Sequence, residues 1–143
     1  MTHVHRIDAF RCEYAFLSNF YPSLIRYDGI HYPTVEHAFQ ACKSLDSPER
    51  LTIAQCGPPA RAKSMGRRVK LRHDWESIKV EVMTKLVRLK FETHDDLRVK
   101  LIDTGEAELI EGNTWNDRFW GVCGTQGRNW LGRILMQVRT ELA

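Results

Sequence analysis

Residues 111–132, EGNTWNDRFWGVCGTQGRNWLG, constrain this chain more than any other stretch. They hold Trp115, Trp120 and Trp130, three of its four tryptophans, among glycines and asparagines with Arg118, Arg128 and Asp117. The apolar residues keep neither the period of 2 of a strand nor the 3.6 of an amphipathic helix. A freely solvated loop is an equally poor solution, because exposing three indoles forfeits a large hydrophobic gain. Two readings remain: an irregular loop folded back on the core, or an aromatic pocket wall with a few convergent polar groups.

The rest of the chain narrows the class. Its 143 residues suit one domain spanning 1–143, able to bury about two-thirds of its unfolded surface. The 43% hydrophobic and 27% charged content is that of an ordinary globular protein. No apolar run approaches the roughly 18 residues a membrane span needs, so no membrane partner is expected. The opening residues, MTHVHRIDAFRCE, lack the apolar core of a secretory signal. Cys12, Cys42, Cys56 and Cys123 lie far apart without a CxxC pair, which points to reduced thiols and a cytoplasmic location. The net charge of +3 suits an anionic small ligand. Its positive residues read as spread along the chain, which disfavours a dedicated DNA- or RNA-binding domain.

Strand signals come first. Ile7–Phe16 and Leu24–Tyr27 read as strands, and Asp28-Gly29 as a hairpin turn leading to Ile30–Tyr32. Helical signals follow. Pro33-Thr34 opens a helix over Val35–Leu45 with Thr34 as N-cap. Further helices are expected at Pro48–Cys56 and Ala60–Met65, then a long one at Trp75–Glu92 capped by Asp74. Apolar residues on two sides of that long helix suggest burial between layers. Asp95–Asp103 forms another helix, Glu108–Glu111 a short strand, and Asn129 opens a last helix whose apolar face carries Leu131, Ile134, Leu135, Val138 and Leu142. The expected class is α+β: mainly helical, one domain, with a small N-terminal antiparallel hairpin.

On the first helix, Glu36, Gln40 and Lys43 fall within an arc of roughly 60°, opposite Ala38, Phe39, Ala41, Cys42 and Leu45. A solvated polar stripe with helpful Glu/Lys spacing explains this as well as a site does. Glu36 in the first turn also gains from the helix dipole without any function. In FLSNFYP, residues 16–22, the aromatics can stack on a base with Asn19 reading polar edges, or can simply anchor a turn before Pro22. Trp75 continues the apolar stripe of its own helix and reads as core. The histidines form no ligand motif, His3-Val4-His5 reads as a solvated tail, and no metal or cofactor is expected. GxxxxGK[ST], GxGxxG and GxSxG are all absent.

Several of these pieces, in this order, resemble the NADAR family, also called YbiA-like. The matching run starts with residues 16–22 and Tyr27-Asp28-Gly29, and continues through YPTVEHAFQACK at 32–43. Ala62-Lys63, Gly66-Arg67, Asp74-Trp75, Met83, Lys90-Phe91, Leu101 and Thr104-Gly105 come next. Leu109-Ile110-Glu111, Asn116-Asp117, Trp120-Gly121, GRNWLG at 127–132, residues 134–136 and Arg139 complete it. The resemblance implies a mainly helical α+β fold acting on N-glycosidic bonds of ribosides. Two substrate classes go with it: phosphorylated ribosylamino-pyrimidines of riboflavin biosynthesis, and ADP-ribose on guanine bases of nucleic acid. By motif it places Glu36, Trp75, Asp117 and Trp120 in the active site, with Lys43 and Asn19 beside them. The expected roles are catalysis for Glu36, Asp117 and Lys43, and substrate contact for Asn19, Trp75 and Trp120, joined by Phe16, Arg118 and Gly121.

That chemistry suits the residue types. Cleaving a C1′–N bond passes through an oxocarbenium-like state, so a carboxylate near C1′ stabilises charge or activates water. The leaving nitrogen needs a proton, which a carboxyl kept neutral by an apolar wall supplies. Glu36 and Asp117 are the natural pair, with either as the acid. A desolvated Lys43 can instead attack the opened sugar aldehyde. Arg118, Arg128 and Lys63 are candidates for phosphate. A non-catalytic ADP-ribose or nucleotide-binding module is the rival reading, needing the same aromatic pocket without the acid/base pair. Oligomeric state is open.

Overall fold

The computed structural model describes residues 4–143, so His3 of the expected tail lies outside the described residues, while Val4 and His5 are exposed. The architecture is α+β and mainly helical, as the sequence indicates. In chain order come β1 (Arg6–Ile7), a 3-10 helix (Cys12–Leu17), β2 (Ile25–Tyr27), β3 (Ile30–Tyr32), α1 (Val35–Ala41), α2 (Ser47–Ala54) and α3 (Pro59–Gly66). The chain continues with α4 (Trp75–Thr93), α5 (Asp95–Asp103), β4 (Glu108–Leu109), β5 (Gly112–Asn113), β6 (Val122–Cys123) and α6 (Trp130–Leu142). These elements form two compact units, Asn19–Thr93 and the residues up to Ser18 together with His94–Ala143.

The unit Asn19–Thr93 starts with the expected hairpin. Asp28 and Gly29 both take positive φ, 50° and 81°, the primed turn whose twist matches paired strands. α1 then packs against α2, α3 and α4. Thr34 caps α1 as expected, its hydroxyl oxygen accepting from the His37 amide at 3.1 Å. His37 is fully buried, and its Nε2–H donates to the Gly57 carbonyl at 2.8 Å while Nδ1 accepts from the Thr34 hydroxyl at 2.8 Å. One neutral tautomer therefore ties the start of α1 to the turn before α3. α1 ends at Ala41 rather than at Leu45, and Leu45 is 67% exposed, so the expected apolar side of this helix stops one turn early.

α4 is buried on two sides, by Val82, Met83, Leu86, Val87 and Phe91, as its double apolar stripe predicts. Lys90 lies among them, fully buried, its Nζ 5.1 Å from the Phe91 ring centre and 5.8 Å from that of Tyr21. Burial brings its pKa down to about 7. Between that value and 10.5 the unfolded chain holds a proton the folded one releases, so folding stability falls as pH drops through this window. The urea midpoint is expected to be lower at pH 7 than at about pH 8.5, still below the range where the raised Cys42 and Tyr32 work the other way. A Lys90→Met variant should lose most of that difference; an equal slope in both proteins would exclude Lys90 as its source.

In the other unit the expected Ile7–Phe16 strand is not formed. Only Arg6–Ile7 pairs, parallel to Glu108–Leu109, and Cys12–Leu17 winds into a 3-10 helix. Cys12 takes a left-handed φ of 55°, which breaks an extended run, and the turn of 3-10 helix that follows buries the neighbours Phe16 and Leu17 together. The expected strand Glu108–Glu111 shrinks to its first two residues. α6 lays Leu131, Ile134, Leu135 and Val138 against the core and packs on α5 and β4. Arg139 closes this layer, donating from Nη1 to the Thr104 hydroxyl and the Ala107 carbonyl, each at 2.9 Å.

Candidate active site

Within Asn19–Thr93 the polar face of α1 is not a solvated stripe. Glu36 is 8% exposed and Gln40 5%. One turn apart on the helix, they are joined by a 2.6 Å hydrogen bond from Gln40 Nε2 to Glu36 Oε2. The Glu36 amide donates to the Asn19 carbonyl at 3.1 Å, which fixes the first turn of α1. Asn19 contributes mainly this backbone atom; its side-chain amide sits 3.5 Å from the Met83 sulfur. α3 approaches closely because residue 66 is glycine: a Cβ there would run into the Gln40 side chain.

Lys43 completes the cluster, half-buried. Burial lowers its pKa; Glu36 opposes that, while Arg67, Lys63 and Lys79 add to it. An amine in this setting gives up its proton more readily than a surface lysine. Phe39, between Glu36 and Gln40 in sequence, meets the Trp75 ring at 5.0 Å and 54°. Trp75 is 4% exposed, so most of its surface belongs to the core, in line with its stripe on α4.

The surroundings are strongly cationic. Residues 61–72 hold Arg61, Lys63, Arg67, Arg68, Lys70 and Arg72, six of the 21 basic residues, with no acid among them. Positive charge is therefore gathered on α3 and the segment after it, which corrects the reading of an even spread. Lys63 and Arg67 lie on the flank that acts on Lys43. Arg61 and Arg68, on another flank, line an open groove of about 530 Å³ shared with Pro48, Glu49 and Thr52 of α2.

The tryptophan-rich segment lies in the other unit and is an ordered, irregular loop. β5 and β6 pair in parallel, Gly112 with Val122 and Asn113 with Cys123. Asn113, 9% exposed, ties the loop: its Nδ2 donates to the Asp117 carbonyl at 2.9 Å and to Glu111 Oε2 at 3.2 Å. Its Oδ1 accepts from the Asp117 amide at 3.0 Å. Asp117 Oδ1 then accepts from the amides of Trp120 at 2.9 Å and Phe119 at 3.2 Å. Gly121 is buried where a Cβ would strike the Glu111 backbone and carboxylate, so close packing accounts for the glycine without a ligand.

The same loop meets the start of α6. The carbonyls of Arg118, Phe119, Trp120 and Gly121 accept from the amides of Arg128, Trp130, Leu131 and Asn129 at 2.8–3.3 Å. Backbone groups thus satisfy the amides that a helix start leaves open. Asn129, expected to open α6, sits at its N-cap in left-handed conformation and uses its side chain elsewhere, on Glu111 N and Leu109 O. Phe119 packs edge-on to Trp120 at 4.8 Å and stacks loosely on Trp130 at 6.5 Å. Trp130 therefore packs on the loop. Trp115 is 59% exposed on a turn where Asn116 takes a φ of 66°. Arg118 is exposed. Phe16 is 4% exposed, with the Lys100 ammonium 5.8 Å over its ring.

The structure thus brings Glu36, Lys43 and the Asn19 carbonyl together, with Trp75 reaching α1 through Phe39. Asp117, Arg118, Trp120 and Gly121 form a second group on their own loop. Sequence reasoning put Gln40 on the Glu36 face without giving it a role, and passed over Gly66, Phe39 and Asn113 as site-builders. The i, i+4 spacing of Glu36 and Gln40 was a usable signal for Gln40; Asn113 gave none, since its partners are largely backbone atoms.

A buried glutamate held by an amide beside a lysine of lowered pKa is chemically able to exchange protons with a ligand. The family is also clear from comparison: the NADAR domain matches residues 8–143, and the chain belongs to that family. The N-glycosidase YbiA of Shigella flexneri serotype 5b is 47% identical over 134 residues, covering 92% of this chain and 83% of that protein. A riboflavin biosynthesis protein of Vibrio vulnificus is 42% identical over 132 residues, 90% of this chain but 36% of its own length. Among solved structures, the NMR structure of Escherichia coli YbiA superposes with a TM-score of 0.84 at 40% identity, covering 98% of this chain and 88% of that one.

Proposed function

We propose that this protein is an N-glycosidase that hydrolyses the C1′–N bond of a ribosylated base, with Glu36 at the reacting carbon. The observation that carries the reading is the Glu36–Gln40–Lys43 cluster: one buried carboxylate, held by an amide, among cations. The bond electrons leave with the nitrogen, which takes a proton, while water adds its oxygen to C1′ and its proton passes to Glu36. Glu36 also stabilises the oxocarbenium-like charge before water arrives. Lys43, eased toward losing its proton, is suited to protonate the leaving nitrogen, and its neutral amine is equally suited to attack an opened sugar aldehyde.

Asp117 takes a supporting role in this reading, since one of its oxygens already shapes the loop that carries Trp120. Family motif, rather than any distance, assigns Trp120 to the ligand, and Arg118 is a phosphate candidate by its charge alone. Lys63 and Arg67 are proposed for its phosphate. The substrate is a phosphorylated ribosylamino-pyrimidine or an ADP-ribosylated guanine, the first class in keeping with the riboflavin-pathway relative. No described helix is long and apolar enough to cross a membrane, and all four cysteines are unpaired, which supports a reducing, cytoplasmic setting.

The test is to incubate the protein separately with each substrate and follow free base by mass spectrometry. Release of base from one of them is the expected result. Both ligands bound yet intact after hours would instead favour a binding module. Borohydride added during turnover separates the two roles of Lys43: a covalent adduct on this residue means attack on the aldehyde, and none means proton transfer.

A further inference from the structure

The bond between Gln40 and Glu36 has a direction. At 2.6 Å the amide nitrogen faces Glu36 Oε2, so the donor end of Gln40 is turned to the acid. Its other end, Oε1, is buried and has no hydrogen-bond partner among the described residues. It lies against Gly66, where any side chain would displace it. The reversed amide would set two oxygens face to face, tolerable only if Glu36 carried a proton. As observed, the amide leaves its own acceptor unmet to keep a donor on the carboxylate, which is the orientation an ionised glutamate selects.

The charged surroundings favour the same state. Lys43, two residues past the end of α1, is the cation coupled to Glu36. Lys63 on α3, Arg67 at the C-cap of α3 and Lys79 on α4 act in turn on Lys43, with Lys79 also donating to the Glu76 carboxylate at 2.6 Å. α2 turns Arg50 toward Asp28 and the Ser44 carbonyl, and Glu49 toward the groove. β3 leaves His31 exposed. Burial alone pushes a carboxyl toward its neutral form, so without such partners a glutamate this enclosed would drift toward being an acid.

We infer that Gln40 is a positioning residue that holds Glu36 as an ionised carboxylate, and that Gly66 exists to let it do so. This rests on the reading of Glu36 as the group at C1′, and it assigns Glu36 the part of base and charge stabiliser, leaving the acid's part to another group. Gln40 itself touches no reacting atom; it acts through Glu36.

Two variants remove the donor in different ways. Gln40→Met keeps length but has no N–H, and Gly66→Ala pushes the amide aside without altering any polar group. In each, the Glu36 carboxyl, followed by carbon-13 NMR on folded protein, should titrate about one to two pH units higher than in the wild type. The acidic limb of kcat/KM should move up with it, and combining the two changes should add little to either alone. A purely structural role would lower rates at every pH and leave the limb in place. An unmoved Glu36 titration in both folded variants would overturn the inference. A moved titration with unchanged turnover would establish the coupling while removing Glu36 from the chemistry, so the two readings fail separately.

Discussion

Replacing Glu36 by Gln is expected to slow base release by about 10²–10⁴-fold, roughly 3–5 kcal/mol of barrier, with the fold intact. The substitution nearly conserves shape. It keeps a side chain able to bond Gln40 but removes the charge that answers the developing cation at C1′, so the loss should fall on kcat more than on KM. It also deprives Lys43 of the carboxylate that raises its proton affinity, and the basic limb of the pH profile should shift downward. Single-turnover kinetics with circular dichroism on the same sample is the check. A folded Glu36→Gln protein with near-normal turnover would refute the proposed chemistry.

The second large effect concerns stability. Trp75→Ala should cost about 3–5 kcal/mol, the range for emptying a buried aromatic site. Trp75 is 4% exposed and supports Phe39 at 5.0 Å, so the void opens directly behind the helix that carries Glu36 and Gln40. Trp75→Phe should lose much less, because it retains a ring against Phe39. Urea unfolding of both variants separates a core tryptophan from a ligand wall. A Trp75→Ala protein of wild-type stability but poor substrate binding would reverse the assignment made from burial.

Much of this was legible in the residues, where local chemistry decides the outcome. Asp28-Gly29 accepts two positive φ angles, and Pro33-Thr34 presets and caps a helix, so the hairpin and the start of α1 follow from short-range rules. Asp95–Asp103 appears with the bounds its acids and Gly105 suggest. The misses are long-range. β1 and β4 are two residues each and a hundred positions apart, too short to leave a period in sequence. Leu45 has the right spacing for α1 but follows the helix's end. The basic run at 61–72 was visible, yet a mild net charge averaged it away. At the site, type and spacing put Glu36 and Lys43 on one face and only the family motif singled them out, whereas Gly66 matters through a side chain 26 positions earlier.

The hydrogen bonds between residues 118–121 and 128–131 carry one more implication. A loop whose carbonyls complete the first turn of a helix is not a lid. Lifting it would strand several amides and unwind the start of α6, so opening and helix fraying are a single event. The same bonding occupies the positive end of α6, where an anion would otherwise settle. On the proposed reading, any phosphate met by this stretch would be left to side chains such as Arg118 and Arg128, whose reach, rather than backbone geometry, would decide which phosphorylated ligands fit.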